Sequence, residues 1–530
     1  MNIQMRKSLI IAGLAASALV FEGCVEDLDR KPFYDVTSAV VYNSPAGYRQ
    51  VLAKLYGGLA LTGQSGPDGK PDIQGVDEGA SNYVRQLWSA QELPTDEAVV
   101  AWNDNTIQDF HQMDWSAADV FTRALYYRIF YQITLANEFI RESTDAKLGE
   151  RGISGNDAAA IKAYRAEARF VRALSYFHAL DLYGNVPFVT ETDAIGSSLP
   201  RQIQRAELFS YIESELKAIE ADLVDARKNE YARADKAAAW ALLARLYLNA
   251  EVYAGQPKYT DAITYSKKVI EAGYALEPRY GDLFRADNNA SREIIFPVTF
   301  DGNRTKTYGG TTFLVNASIG GSMNPADFGV TSKWAGLRTT KALVNLFSDV
   351  SGKTDSRAMF FTNGQSLEIN DVTVFTDGYA VTKWKNLTKD NKPGSDPGGQ
   401  FIDTDFPMFR LADLYLTYAE AVLRGGTGGD VATALNYVNL LRQRAYGNAT
   451  GNLTALSLDV ILQERGRELY WEGYRRTDLI RYNRFTTDAY RWPWKGGVRD
   501  GRGVEDWRRL YPLPASDVVA NPNLKQNQGY

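Results

Sequence analysis

Two histidines, His111 and His178, and one cysteine, Cys24, are the whole supply of imidazole and thiol in 530 residues. A zinc centre built from His and Cys is therefore excluded. A Ser-His-Asp or Cys-His machine has to use one of these two rings. His178 sits inside a helical pattern and His111 follows Phe110 in an aromatic stretch, so both read as packed residues. The remaining candidates are carboxylates. Glu92, Asp96, Glu97 and Asp104 lie near Trp102 in sequence, and glycoside hydrolases use two carboxyls about 5–9 Å apart. Spacing alone leaves that chemistry open. Glu464, Glu468 and Glu472 repeat at i, i+4 among Arg465, Arg467, Arg475 and Arg476, the pattern of a helix surface stitched by ion pairs. No P-loop, dinucleotide fingerprint or Gly-x-Ser-x-Gly elbow occurs. The reading is a protein that is not an enzyme, with no catalytic residue assigned and no cofactor required.

The other chemistry-bearing class is aromatic: 31 Tyr, 23 Phe and 10 Trp, on a chain of formal net charge −5. A nucleic-acid partner would need a basic face to displace counterions, which this balance does not offer. Ring faces suit a neutral sugar, whose C–H face packs on them without losing hydroxyl hydration. Trp88, Trp102, Trp115, Tyr308, Trp334 and Trp384 all fall in two stretches, 61–115 and 284–400, that carry many turn residues and do not read as helix. EIIFPVTF, beginning at Glu293, reads as a short strand.

Helices must position these loops. IKAYRAEARFVRALSYFHALDLYG carries a 3.6-spaced stripe that stops at Gly184, with Pro187 beyond. Further helical runs fall at 206–223, 235–254, 259–273, 409–424, 430–445 and 458–483. The pairs 235–254/259–273 and 409–424/430–445, with Ala beside Leu and Tyr, follow the tetratricopeptide pattern, whose units bury their faces only against neighbours. The expected fold is mainly α, with helical repeats over about 116–283 and 406–484 and ligand-binding insertions over about 61–115 and 284–400. At the amino terminus, Arg6-Lys7 precede the apolar run Ser8–Phe21 and then Glu22-Gly23-Cys24. That run is a secretory signal, too short to span a membrane. Residues 1–23 read as a lipoprotein signal peptide, Cys24 as the lipidated residue of a single mature globule, 24–530, and two or three acyl chains there would anchor it stably.

Four blocks, AEARFVRALSYFHALDLYGNVPFV (166–189), FPMFRLADLYLTYAEAVL (406–423), ERGRELYWEGYRRTDLIRYNRF (464–485) and RLYPLPASDVVANPNLKQNQGY (509–530), resemble the SusD/RagB family of outer-membrane nutrient-binding lipoproteins. TGQSGPDGKPDIQGVDEG (62–79), ELPTDE (92–97), YGGTTFLV (308–315) and FTDGYAVTKWKN (375–386) resemble its starch-binding members. The resemblance implies an arc of rings, Trp102, Tyr308 and Trp334, cradling an α-1,4-glucan, with Arg85 and Asn105 meeting sugar hydroxyls. A family aromatic at the edge of the site falls on Val100. It also implies a structural calcium on Asp403, Asp405 and Asn289; read from the residues alone, the two aspartates cap a following helix. Glucan captured at the exterior of the outer membrane would pass to a SusC-type TonB-dependent barrel. The rival readings are a binder of fructan or pectic fragments, an outer-membrane glycoside hydrolase, and a repeat scaffold for proteins alone.

Overall fold

The computed structural model describes residues 38–530 apart from 105, 194, 195, 197 and 198. The signal run and Cys24 lie outside the described residues. Several helices start where a side chain caps them. Ser44 accepts from Gly47 N–H to begin α1 (Pro45–Ala60), with Pro45 in the first turn, where its missing N–H costs nothing. Asn82 caps α2 (Tyr83–Glu92) and Asp119 caps α3 (Val120–Glu142). Next come α4 (Gly155–Leu182), α5 (Arg205–Ile219), α6 (Lys236–Leu248) and α7 (Tyr259–Ile270). After α8 (Gly310–Ala317) the chain forms α9 (Leu411–Leu423), α10 (Val431–Tyr446), α11 (Leu458–Leu469) and α12 (Arg475–Arg481).

The scaffold helices stack in sequence: α3 on α4, α4 on α5, α6 on α7, and α9 on α10. Helix α7 also packs directly on α9, although the whole second insertion separates them. That insertion is closed at its root by an antiparallel pair, β2 (Ile294–Val298) against β4 (Phe406–Arg410), every residue of both strands being buried. A second small pair, β1 (Val99–Val100) with β3 (Leu337–Arg338), ties the two insertions together. The main hydrophobic core runs from Leu59 to Leu524. Among the described residues, no helix is long and apolar enough to cross a membrane.

Three features depart from the sequence reading. Helices α2 and α8, every residue of which is buried, lie inside stretches that did not read as helix because Gly, Pro, Asn and Asp turn residues surround them. The run expected as one helix over 458–483 breaks after Leu469, where Trp471 (φ 62°) and Gly473 (φ 82°) turn left-handed. Contacts to Glu92 and Glu97 hold that turn, so tertiary bonding overrides propensity.

The third concerns Glu464, Glu468 and Glu472, which are buried rather than on a helix surface. Arg357 bonds Asp355, Glu464 and Glu468, Arg410 bonds Glu293, Glu468 and Glu472, and Lys383 bonds Glu472, all from side chains closed to solvent or nearly so. Burial pushes the Glu468 carboxyl up, but Arg444, Arg410 and Arg357 overcome it and hold the group below the usual carboxylate range. Such a lattice fixes one arrangement of α11 against β4, because any lost partner strands a buried charge.

Candidate functional site

The loops beyond β1 and before β3 run side by side, joined by Ala101 N–H to Gly336 O at 2.7 Å. Segment 334–336 is laced to the end of α8 through Trp334 N–H to Asn316 O, Ala335 N–H to Ile319 O and Gly336 N–H to Ala317 O. Trp102 then lies flat over Gly336, where a Cβ would stand 2.5 Å from the indole, and its Nε1–H donates to Trp334 O at 2.9 Å. Tyr308 enters from the other side, immediately before α8. Its N–H donates to Glu78 Oε2 at 2.9 Å. One amide couples the two buried helices, since Asn82 Oδ1 accepts from both Arg85 N–H and Gly310 N–H at 3.0 Å. The orientation of Arg85 is thereby tied to that of Tyr308.

The three rings form a row. Tyr308 and Trp334 have centroids 6.3 Å apart with planes inclined 52°, and Trp334 and Trp102 are 6.5 Å apart inclined 45°. Each ring is partly exposed. With tilts of this size the three rings do not form a flat platform. Phe313 backs Trp102 at 5.9 Å and Phe401 backs Tyr308 at 5.5 Å. The Arg85 guanidinium lies 4.5 Å over Phe313 and 5.8 Å from Trp102. Burial lowers its pKa, against the pull of Asp77, Glu78 and Asp104. Among the described residues, no acceptor takes a hydrogen bond from this guanidinium.

Sequence reasoning thus named four residues that the fold brings together: Trp102, Tyr308, Trp334 and Arg85. Asn105 lies outside the described residues. Val100 is fully buried in β1 and lines nothing. The reading missed the backing rings Phe313 and Phe401, and the polar edge at Tyr308, whose hydroxyl accepts from Gln400 Nε2 at 3.1 Å and faces Asp68 Oδ1 at 3.5 Å. The doubled glycine after Tyr308 was the available signal: a Cβ on Gly309 would meet the Asn82 side chain at 2.1 Å.

Of the four carboxylates near Trp102 in sequence, Glu92, Asp96 and Glu97 are buried, and Asp104 is the one on the surface. No pair of them faces the shelf. Both histidines are buried and held down to about 3 by desolvation, hence neutral, with His178 Nδ1 against Tyr83 OH at 2.7 Å.

The calcium donors engage protein groups. Asp405 accepts from Phe300 N–H at 2.9 Å and Tyr231 OH at 2.6 Å. Asp403 accepts from Gly302 N–H at 2.6 Å and from Ser395 Oγ at 2.7 Å. Asn289 is exposed, and its neighbour Asn288 is the residue that bonds the Asp405 backbone. Among the described residues, no three His, Cys, Asp or Glu side chains gather as a metal would need. The Asp403–Asp405 segment is held by these protein donors. It is a hydrogen-bonded clasp leading into β4, so neither aspartate caps a helix.

Comparison with known proteins agrees in sequence and in fold. A model described as "SusD family" matches residues 359–530, and one described as "Starch-binding associating with outer membrane" matches residues 73–248. The chain is 37% identical to the starch-binding protein SusD of Bacteroides thetaiotaomicron, across 99% of this chain and 98% of that one. A SusD homologue of Bacteroides thetaiotaomicron superposes with a TM-score of 0.72 at 19% identity, covering 93% of this chain and 99% of the other. Surface glycan-binding protein A of the same organism, solved with laminarihexaose, gives 0.67 at 20% identity, covering 91% and 99%. Near-complete alignment at 37% identity to the starch-binding protein SusD makes this chain a member of the SusD family.

Proposed function

We propose that the protein binds starch-like α-1,4-glucan oligosaccharides on its curved aromatic shelf at the cell surface and passes them to a SusC-type TonB-dependent barrel. The observation that carries this reading is the row of three partly exposed rings, Tyr308, Trp334 and Trp102, with centroids 6.3 Å and 6.5 Å apart, tilted against one another and so suited to a chain of sugars that is not flat. Each sugar lays a C–H face on a ring, and Arg85 offers paired donors to adjacent hydroxyls. The relative named for starch binding supports the choice of glucan. Hydrogen bonds worth about 0.5–1.5 kcal/mol each leave stacking area to set a modest affinity, suited to handing the ligand on. The burial of Glu92, Asp96 and Glu97 away from the shelf supports binding without hydrolysis.

Titration calorimetry with maltoheptaose and α-cyclodextrin, against laminarihexaose and a fructan, tests the reading. Heat with the first two and little with the others is expected. Stronger binding of another glycan reassigns the substrate, no heat at millimolar sugar leaves a protein scaffold, and new reducing ends point to a hydrolase. Anchoring through Cys24 belongs to the same proposal: Cys24→Ser moves the protein from the membrane to the soluble fraction, and a retained membrane fraction refutes the anchor.

A further inference from the structure

The Tyr308 end of the row carries a chain of three polar groups. Gln400 Nε2–H donates to the Tyr308 hydroxyl at 3.1 Å, and that hydroxyl points its own hydrogen toward Asp68 Oδ1 at 3.5 Å. An amide N–H can only donate, so the tyrosine oxygen is its acceptor and the tyrosine hydrogen is left for another partner. At 3.5 Å Asp68 holds that hydrogen loosely, since a normal O–H···O bond spans about 2.5–3.0 Å. Asp68 is exposed, on a loop closed at its base by Asp72 N–H to Thr62 O at 2.7 Å.

Gln400, by contrast, is braced from both sides. Its N–H donates to Asp396 Oδ2 at 2.9 Å, as does the N–H of Phe401 at 3.0 Å. Its carbonyl accepts from Asn316 Nδ2 at 3.4 Å, and Asn316 Oδ1 takes the Ser332 hydroxyl at 2.6 Å. Just before it, Gly399 turns left-handed (φ 61°) and its carbonyl accepts from Thr331 N–H at 3.0 Å. The end of α8 and the segment leading to Trp334 thus fix the loop that presents the amide, while Phe401 backs the Tyr308 ring at 5.5 Å. Five backbone and side-chain bonds hold one exposed turn in place, and the one side chain it directs at the shelf meets the tyrosine oxygen.

We propose that Gln400 is a positioning residue for the ligand: it fixes the Tyr308 hydroxyl as a donor, and a sugar hydroxyl entering between Tyr308 and Asp68 accepts from the first and donates to the second. A hydroxyl carries both a hydrogen and lone pairs, so it completes this relay in one step. A ligand group that only accepts would turn its lone pairs on the Asp68 carboxylate, and one that only donates would leave the Tyr308 hydrogen unmet. The Tyr308 end of the shelf therefore selects a sugar with a free hydroxyl beside the stacked face, whereas the Trp102 indole N–H is already spent on Trp334 O. The inference rests on the reading of the shelf as a glycan site, though not on which glycan it takes.

Calorimetry of the full-length protein with maltoheptaose, laminarihexaose and a fructan first identifies a ligand of the wild type. Gln400→Leu, which removes the amide, Tyr308→Phe, which keeps the ring, and the double variant are then titrated with it. Each single variant should weaken binding by about three- to ten-fold, the loss of one hydrogen bond. The double variant should lose no more than the worse of the two, because Gln400 acts only through the Tyr308 hydroxyl. Losses that multiply, or a Gln400→Leu affinity within about two-fold of wild type, overturn the relay. Gln400→Glu keeps the shape but accepts the Tyr308 hydrogen, so it should lose at least as much; wild-type affinity in that variant overturns the proposal even if Gln400→Leu fails to fold. Asp68→Ala should weaken binding to a similar extent, and an unchanged affinity overturns the part given to Asp68. A wild type that takes laminarihexaose or the fructan instead of maltoheptaose corrects the glucan assignment, and the same cycle still decides the relay. A wild type that binds none of the three overturns both.

Discussion

Trp334→Ala is the cleanest perturbation of the shelf, because Trp334 serves the site by its ring and the scaffold by its backbone. Its N–H bonds Asn316 O and its carbonyl accepts the Trp102 indole, and alanine keeps both. The ring itself is partly exposed and lies between Tyr308 and Trp102. Covering roughly 50 Å² of indole and roughly 50 Å² of sugar at ~25 cal/mol per Å² gives about 2.5 kcal/mol for the lost stack. That corresponds to about a 60-fold weaker Kd as an upper bound, since the neighbouring rings retain the ends of the chain. Folding should lose only about 1 kcal/mol, a melting shift of about 2 °C or less in a chain of this size. Calorimetry with maltoheptaose and a thermal melt on the same preparation measure both quantities. Affinity within about two-fold of wild type would refute stacking as the source of binding. A melting loss of about 8 °C or more would show the ring to be core instead of surface.

Trp102→Ala should abolish measurable binding and also cost about 3 kcal/mol of stability, since the indole fills space against Phe313 and donates to Trp334 O; a melting curve like that of Trp334→Ala would contradict the packing. Arg410→Met leaves Glu293, Glu468 and Glu472 short of a partner and should lower stability in urea by about 3–5 kcal/mol, whereas an unchanged midpoint would show that the lattice relaxes without it. Chelation with EDTA should leave the melting temperature within about 1 °C, because the Asp403 and Asp405 oxygens bond protein groups; a larger fall, reversed by calcium, would replace the clasp with a cation site.

Much of the scaffold was legible in the chain. The stripe ending at Gly184, and the pairs that became α6/α7 and α9/α10, carried the small-beside-large apolar pattern of stacked helices. The ring positions Trp102, Tyr308 and Trp334, with Arg85, were legible through family resemblance and not through periodicity. By itself the sequence determined which residue types were available: too little imidazole and thiol for a His–Cys zinc centre, ring faces in quantity, and a charge balance that turns away nucleic acid. It misplaced what depends on neighbours distant in sequence. The ERGRELYWE segment has the periodicity of a solvated ion-paired surface, yet Arg357, Lys383, Arg410 and Arg444 arrive from elsewhere to enclose it. Helices α2 and α8, covered on every side, are short and set among turn residues, which hid them in the chain. Whether a carboxylate faces water, a guanidinium or another carboxylate is settled only when strands and helices meet. The energy of a charge or a ring depends on the dielectric and the partners around it, and those belong to the assembled fold rather than to the local chain.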